Sequence, residues 1–288
     1  MRAKFGVAGN SDSFYASGHK ASEEMPSWLF ELGLDAYEYQ CGNGVRCGEA
    51  TARKIAKNAG ENGIVMSVHS PYYINLATPD EEKRLGSINY IMQSAQLVNF
   101  FGGDRVVVHS GALGKLTREE ALEYAKKTVL LARAELVNAG FSNVRLCLET
   151  MGKINQLGDL FEVMELCTLD ESFLPCIDFG HLNARTLGGL KEKADFEKIF
   201  DTIENRLGID RLKVFHSHFS KIEYTKGGEK KHLTFEDSVF GPEFDFVAEI
   251  IAKRGITPTI ISESAGTQSE DALAMKRMYE EQINLQKL

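Results

Sequence analysis

Two rhythms of apolar and polar positions alternate along this chain. Short apolar runs recur, and longer stretches between them carry apolar residues three and four apart; the first pattern suits buried strands and the second amphipathic helices. The strand-like runs are Lys4-Phe5-Gly6-Val7-Ala8, an alternating stretch over 34–39, Val65-Met66-Ser67-Val68, Arg105-Val106-Val107-Val108 and Val144-Arg145-Leu146-Cys147-Leu148. Phe173-Leu174-Pro175-Cys176-Ile177, Leu212-Lys213-Val214-Phe215 and Thr259-Ile260-Ile261-Ser262 complete the set. Helical spacing covers 22–32, with Ser22 placed as N-cap, then 47–59, ended by Gly60, and 81–101, closed by Gly102-Gly103. The capping box Thr117-Arg118-Glu119-Glu120 opens a helix running to Asn138, and further helices are predicted over 157–166, 196–207, 244–253 and 270–285. Loops fall at 9–13 and 70–79, and a polar, charged segment over 217–243 is the longest irregular stretch. Eight strands alternating with eight helices, with no linker or break in composition, predict an α/β fold in which residues 1–288 form one (β/α)8 TIM barrel domain. A doubly wound open sheet is the alternative, and its Gly-rich phosphate turn is missing here.

Six of the runs end in a residue that ligates metals. His69, His109, Glu149, Asp178, His216 and Glu263 each follow an apolar segment directly, and His181 lies three places past Asp178. An isolated Asp after a strand serves as a helix cap, and an isolated His is an ordinary surface residue. Repetition at the strand ends changes that reading, because a (β/α)8 barrel gathers those ends at one face, where its active sites lie. Oxygen and nitrogen donors of this kind suit Zn²⁺ and Mn²⁺. Three histidines and three acids exceed what one Zn²⁺ takes, so a cluster bridged by a carboxylate is expected, with Glu149 in the middle of the strand order as the bridge. Adjacent ions of this type favour phosphodiester hydrolysis.

Composition narrows the class. A chain of 288 residues, 43% hydrophobic, can bury a large core. The sequence has no 18-residue apolar run and no charged-then-apolar leader, so a cytoplasmic protein without membrane attachment is expected. Its five cysteines, Cys41, Cys47, Cys147, Cys167 and Cys176, form no CxxC pair and are expected to be reduced thiols. A formal net charge of −8 argues against nucleic-acid binding by bulk electrostatics but leaves room for a DNA enzyme, since bound cations and a local basic rim reverse the field where it matters.

His69-Ser-Pro-Tyr-Tyr-Ile-Asn-Leu76, Val108-His109-Ser-Gly111, Leu148-Glu149-Thr150, Asp178-Phe-Gly-His181 and Ser262-Glu263-Ser264 resemble, in order and spacing, the signature segments of endonuclease IV, the zinc-dependent apurinic/apyrimidinic endonuclease family with a TIM barrel. The resemblance runs from Val65 to Gly266. It implies Zn²⁺ ions on His69, His109 and Glu149, on Glu149, Asp178, His216 and Glu263, and on a third site with His181 and His232. It further implies cleavage 5′ to an abasic site in double-stranded DNA by a monomer, with Glu149, Asp178 and Glu263 as the catalytic carboxylates and Tyr72 and Tyr73 entering the duplex. The chain departs from the family at the third site, where an Asp-x-His pair is replaced by Lys230-Lys231-His232, with Glu229 one place before. Either Glu229 takes over through a shifted loop or only two ions bind. After His216 the chain reads His218-Phe219-Ser220, and His218 is expected to be a hydrogen-bonded histidine rather than a ligand. These departures keep open a sugar isomerase or ketose 3-epimerase of the xylose-isomerase-like superfamily, with one Mn²⁺ on Glu149, Asp178, His216 and Glu263. A barrel with a decayed site, now a binding module, is the reading outside enzymes.

Overall fold

The computed structural model describes residues 2–287. Eight parallel strands close into a barrel: β1 (Lys4–Ala8), β2 (Ala36–Gln40), β3 (Val65–His69), β4 (Arg105–His109), β5 (Arg145–Glu149), β6 (Leu174–Asp178), β7 (His216–Phe219) and β10 (Thr259–Ser262). Each pairs with its neighbour in sequence order, and β1 closes the ring against β10. An antiparallel hairpin, β8 (Ile222–Thr225) and β9 (Gly228–His232), rises from the connection after β7. Helices α2 (Met25–Leu32), α3 (Glu49–Asn62), α4 (Glu81–Phe100), α5 (Arg118–Asn138), α6 (Leu160–Cys167), α8 (Lys193–Leu207), α10 (Asp245–Arg254) and α11 (Gln268–Leu285) form the outer layer. Short helices α1 (Asp12–Ala16), α7 (Phe179–Arg185) and α9 (Ile209–Val214) lie between them. The strands' outward residues, such as Phe5, Val68, Val106 and Leu148, are fully or almost fully buried against this layer and make one continuous core. Among the described residues, no helix is long and apolar enough to cross a membrane.

The single TIM barrel is therefore found, with local corrections. The helix expected over 22–32 begins as one 3-10 turn, Ser22–Glu24, and Ser22 is not its cap: its hydroxyl bonds the Asn10 side chain. Gly60 is helical, and α3 stops at Gly63, which adopts the left-handed conformation at φ 68°. The capping box at Thr117 and Glu120 forms as expected. The consequential correction concerns the seventh strand. Residues 212–215 were expected to be extended, but Ile209–Val214 coils into α9 with Leu212 as its one buried residue, and β7 starts only at His216. His216 then pairs in register with Cys176 and Thr259, whereas His218 pairs with Asp178 and Ile261. In a strand a shift of two residues keeps the face and moves the side chain one layer along the barrel. His218, not His216, thus shares the level of Asp178.

At Gly6 the barrel wall is at its closest approach. A Cβ there would lie 2.0 Å from the Ala36 carbonyl oxygen of β2, a backbone atom that cannot yield without opening the strand pair. Gly6→Ala is expected to cost about 3 kcal/mol, measured by denaturant unfolding. Gly86→Ala, in open space on α4, is expected to raise stability by up to about 1 kcal/mol through helix propensity. Equal effects from the two variants would contradict the close packing of β1 on β2.

Candidate metal centre

The barrel delivers its donors from the strand ends. His69, His109, Glu149 and Asp178 are the last residues of β3 to β6, and Glu263 follows β10. The Glu149 carboxylate is fully buried at their centre. Its Oε2 lies 3.3 Å from His69 Nε2 and 3.0 Å from His109 Nε2. Its Oε1 lies 3.1 Å from His218 Nδ1 and 3.4 Å from His181 Nδ1. Of the five groups of donors whose ligand atoms lie within 4.8 Å of one another among the described residues, three adjoin around the mouth: His69, His109 and Glu149; Glu149, Asp178, His218 and Glu263; and His181, Glu229 and His232. Glu149 belongs to the first two, as a bridge must.

His218 takes the place expected for His216. His216 points one layer down into the barrel, where its Nε2 donates to Glu38 at 2.8 Å. The register of β7 is the reason, and the late start of that strand hid it from the sequence. Glu38 went unremarked; the signal was its position between Tyr37 and Tyr39 on a strand, which turns it to the opposite, interior side.

The third group forms through Glu229 and not Lys230. The β8–β9 ladder slips, with Glu223 opposite Lys231 but Tyr224 opposite Glu229, so Lys230 is the extra residue of a bulge. Residues two apart normally share a strand face; with one residue bulged out, Glu229 and His232, three apart, share it. Lys230 and Lys231 turn outward onto Glu223. The hairpin docks on the loop after β5, where Glu229 N donates to the Gly152 carbonyl at 3.1 Å. Gly152 leaves room for this: a Cβ would sit 2.6 Å from Glu229 Cβ and 2.9 Å from His181 Cδ2.

These residues fit metal ions. Glu149 Oε2 and Asp178 Oδ2 are buried without a hydrogen-bond partner, an arrangement that is costly unless something positive completes it. Asp178 spends its other oxygen capping α7, accepting from His181 N at 2.7 Å. The outer ring nitrogens are also committed. His69 Nδ1 donates to the Ser70 carbonyl and His181 Nδ1 to the Thr150 carbonyl, both at 2.9 Å. A carbonyl only accepts, so Nδ1 carries a proton in both rings, and Nε2, which faces Glu149 in one and Glu229 in the other, is the nitrogen left to ligate. His232 Nδ1 bonds Ser220 Oγ at 2.8 Å.

Buried charges of both signs set the electrostatics. Burial works against a charged Glu149, but His109 and His218 hold its carboxyl well below the usual range. Glu263 sits at about 2, burial again being outweighed by His218. Asp178 is raised by burial. Burial opposes protonation of the histidines, yet the carboxylate of Glu149, 3.3 Å away, lifts His69 to about 8. His181 is pushed well above its ordinary value by Asp178 and Glu149, and His218 by Cys176, Glu263, Glu38 and Glu149.

A cavity of about 310 Å³ opens above the donors, with Met151, Lys153 and Gln156 on one wall and Tyr72 on another. The Tyr72 ring lies 5.6 Å from both His69 and His109, and Tyr73 packs on Tyr90 at 5.7 Å. Both tyrosines remain exposed, at 59% and 57%.

Residues 26–285 match the family model described as xylose isomerase-like TIM barrel. An uncharacterised protein of Methanocaldococcus jannaschii is 37% identical over 250 residues, covering 86% of this chain and 88% of that protein. A probable endonuclease 4 of Mycoplasma genitalium is 34% identical over 170 residues, and the chain spans 55% of its length. Among solved structures, a D-tagatose 3-epimerase-like protein superposes with a TM-score of 0.72 at 17% identity, covering 99% of this chain and 100% of that one. Endonuclease IV from Thermus thermophilus does so at 0.64 and 18%, with 99% and 100% covered. At these identities the structural matches establish the fold alone.

The histidine shifts carry a testable sign. With their protonation midpoints raised, His69, His181 and His218 hold protons at about pH 7 in the metal-free protein, and an incoming ion must displace them. Calorimetric titration with Zn²⁺ in buffers of different ionisation heat is expected to show proton release at about pH 7. Apparent affinity is expected to climb as the pH rises through the His69 value of about 8. Loading without proton release would contradict this charge arrangement.

Proposed function

The chain belongs to the xylose isomerase-like TIM barrel family, and within it we propose that the protein is a metal-dependent phosphodiester hydrolase that cuts DNA 5′ to abasic sites, with Zn²⁺ as its ion. The observation that carries this reading is the number and continuity of the donors. A single-ion isomerase needs only Glu149, Asp178, His218 and Glu263, which leaves His69, His109, His181, Glu229 and His232 without a task. Three adjoining groups accommodate two or three ions, and the chemistry such ions supply is charge neutralisation on a phosphate and acidification of water. The match to probable endonuclease 4 proteins supports the same reading.

The chain's own residues have definable parts. Glu149 joins two groups and fixes their separation, while Asp178 and Glu263 close the second around His218. Lys153, on the cavity wall, offers a cation to a phosphate, a local exception to the net charge of −8. Tyr72, which lines the cavity, and its exposed neighbour Tyr73 present flat apolar surface to a base stack from which a damaged nucleotide is extruded. The second reading, a sugar epimerase with one Mn²⁺, is favoured by the completeness of the second group alone, with Glu149 and Glu263 as proton carriers at adjacent carbons.

Elemental analysis of protein purified without chelator, followed by a nicking assay on a duplex with one abasic site, separates the two. Two or three zinc ions per chain with nicking 5′ to the lesion is the expected result; one exchangeable manganese or cobalt ion without nicking would establish the epimerase reading. Glu149→Ala is expected to lose the ions of two groups and more than about 100-fold in nicking, beyond what outer-shell changes around metals produce. His232→Ala is expected to lose one ion and less activity.

A further inference from the structure

Beneath the metal centre the barrel holds a second polar cluster that shares only His218 with the centre. Glu38, in the middle of β2, is fully buried. Its Oε2 accepts from Ser67 Oγ and His216 Nε2, and its Oε1 from His218 Nε2, all at 2.8 Å. All three partners donate to it, so Glu38 serves as an acceptor only, as an ionised carboxylate does.

The protons in this cluster can be placed. Arg105 Nη1 lies 3.4 Å from His216 Nδ1, and a guanidinium offers donors only. Nδ1 of His216 is therefore an acceptor, and its one proton sits on Nε2, where Glu38 receives it. His216 is neutral in this arrangement. Cys176, His216 and His218 also lie within ligand reach of one another, but His216 has both nitrogens engaged and no lone pair to give. His218 differs. Its Nε2 is committed to Glu38, so Nδ1, the nitrogen 3.1 Å from Glu149 Oε1 and 3.4 Å from Glu263 Oε2, is the one left to ligate once an ion displaces its proton.

We propose that Glu38 is a positioning residue for the metal centre: it locks the His218 ring so that Nδ1 ligates, places a negative charge behind it, and is itself held by the Arg105–His216 strut. This rests on the reading that His218 holds an ion. It is the carboxylate–histidine–metal arrangement, with the carboxylate supplied from across the barrel.

Two measurements test it. Glu38→Gln keeps the shape and removes the charge; chelator competition on the zinc-loaded protein is expected to show one ion bound about 10- to 100-fold more weakly, with the ion of the His181–Glu229–His232 group unchanged. Nitrogen NMR of the zinc-loaded wild type is expected to show His218 bound through Nδ1 with a slowly exchanging proton on Nε2. Wild-type affinities in Glu38→Gln, or zinc on His218 Nε2, would overturn the proposal. Should Glu38→Gln fail to fold, the ring nitrogens of the wild type decide alone. A wild type that takes up no metal overturns the parent reading as well, whereas a loaded wild type with an indifferent Glu38→Gln overturns only the role of Glu38.

Discussion

The structure turns on one buried anion. Glu149 stands at the centre of the barrel mouth with no solvent exposure, and a carboxylate withdrawn from water is tolerable only when opposite charge and hydrogen bonds replace the lost hydration. Here His69, His109, His181 and His218 stand within 3.4 Å of its two oxygens. Protons and metal ions are interchangeable solutions to the same electrostatic problem, and the same imidazoles serve both. The closed barrel makes the arrangement possible, because parallel strands bring residues far apart in sequence to one level without any loop having to carry them.

Much of this was legible beforehand, for a definable reason. A ligand type that directly follows a short apolar run marks a strand end, and His69, His109, Glu149, Asp178 and Glu263 could be found in that way. Their convergence followed from the barrel. What stayed hidden depended on register and facing. Leu212 to Phe215 has the apolar content of a strand, but Leu212 to Val214 is the second half of the six-residue helix α9, too short for its period to show, and the resulting start of β7 exchanges His216 for His218. Glu38 alternates with Tyr37 and Tyr39 on β2, which sets it on the opposite face, but the histidines it meets there come from β7 and are brought to it only by the closed barrel. Helices α1 and α7, of five and seven residues, likewise carry too few turns to announce themselves.

Fold likeness does not separate the two chemistries, since epimerase-like and endonuclease structures both superpose over nearly the whole chain. The distinction lies in donors outside the shared group of four. His69 and His109 come from barrel strands and are fixed by them. His181 sits on a helix capped by Asp178, so the loss of that aspartate would disturb two groups at once. Glu229 and His232 come from the hairpin, outside the barrel wall.

The bulge at Lys230 has a consequence for how such a centre can change over time. An extra residue in a strand ordinarily reverses every side chain beyond it, and a ligand pair would be separated at a stroke. Looping the additional residue outward cancels that reversal, and the extra methylene of glutamate over aspartate lengthens the reach of the displaced acid. Spacing and acid type can therefore drift together while the cation-facing surface is retained. A pattern search keyed to one fixed interval would score this chain as lacking a donor that its folded hairpin supplies.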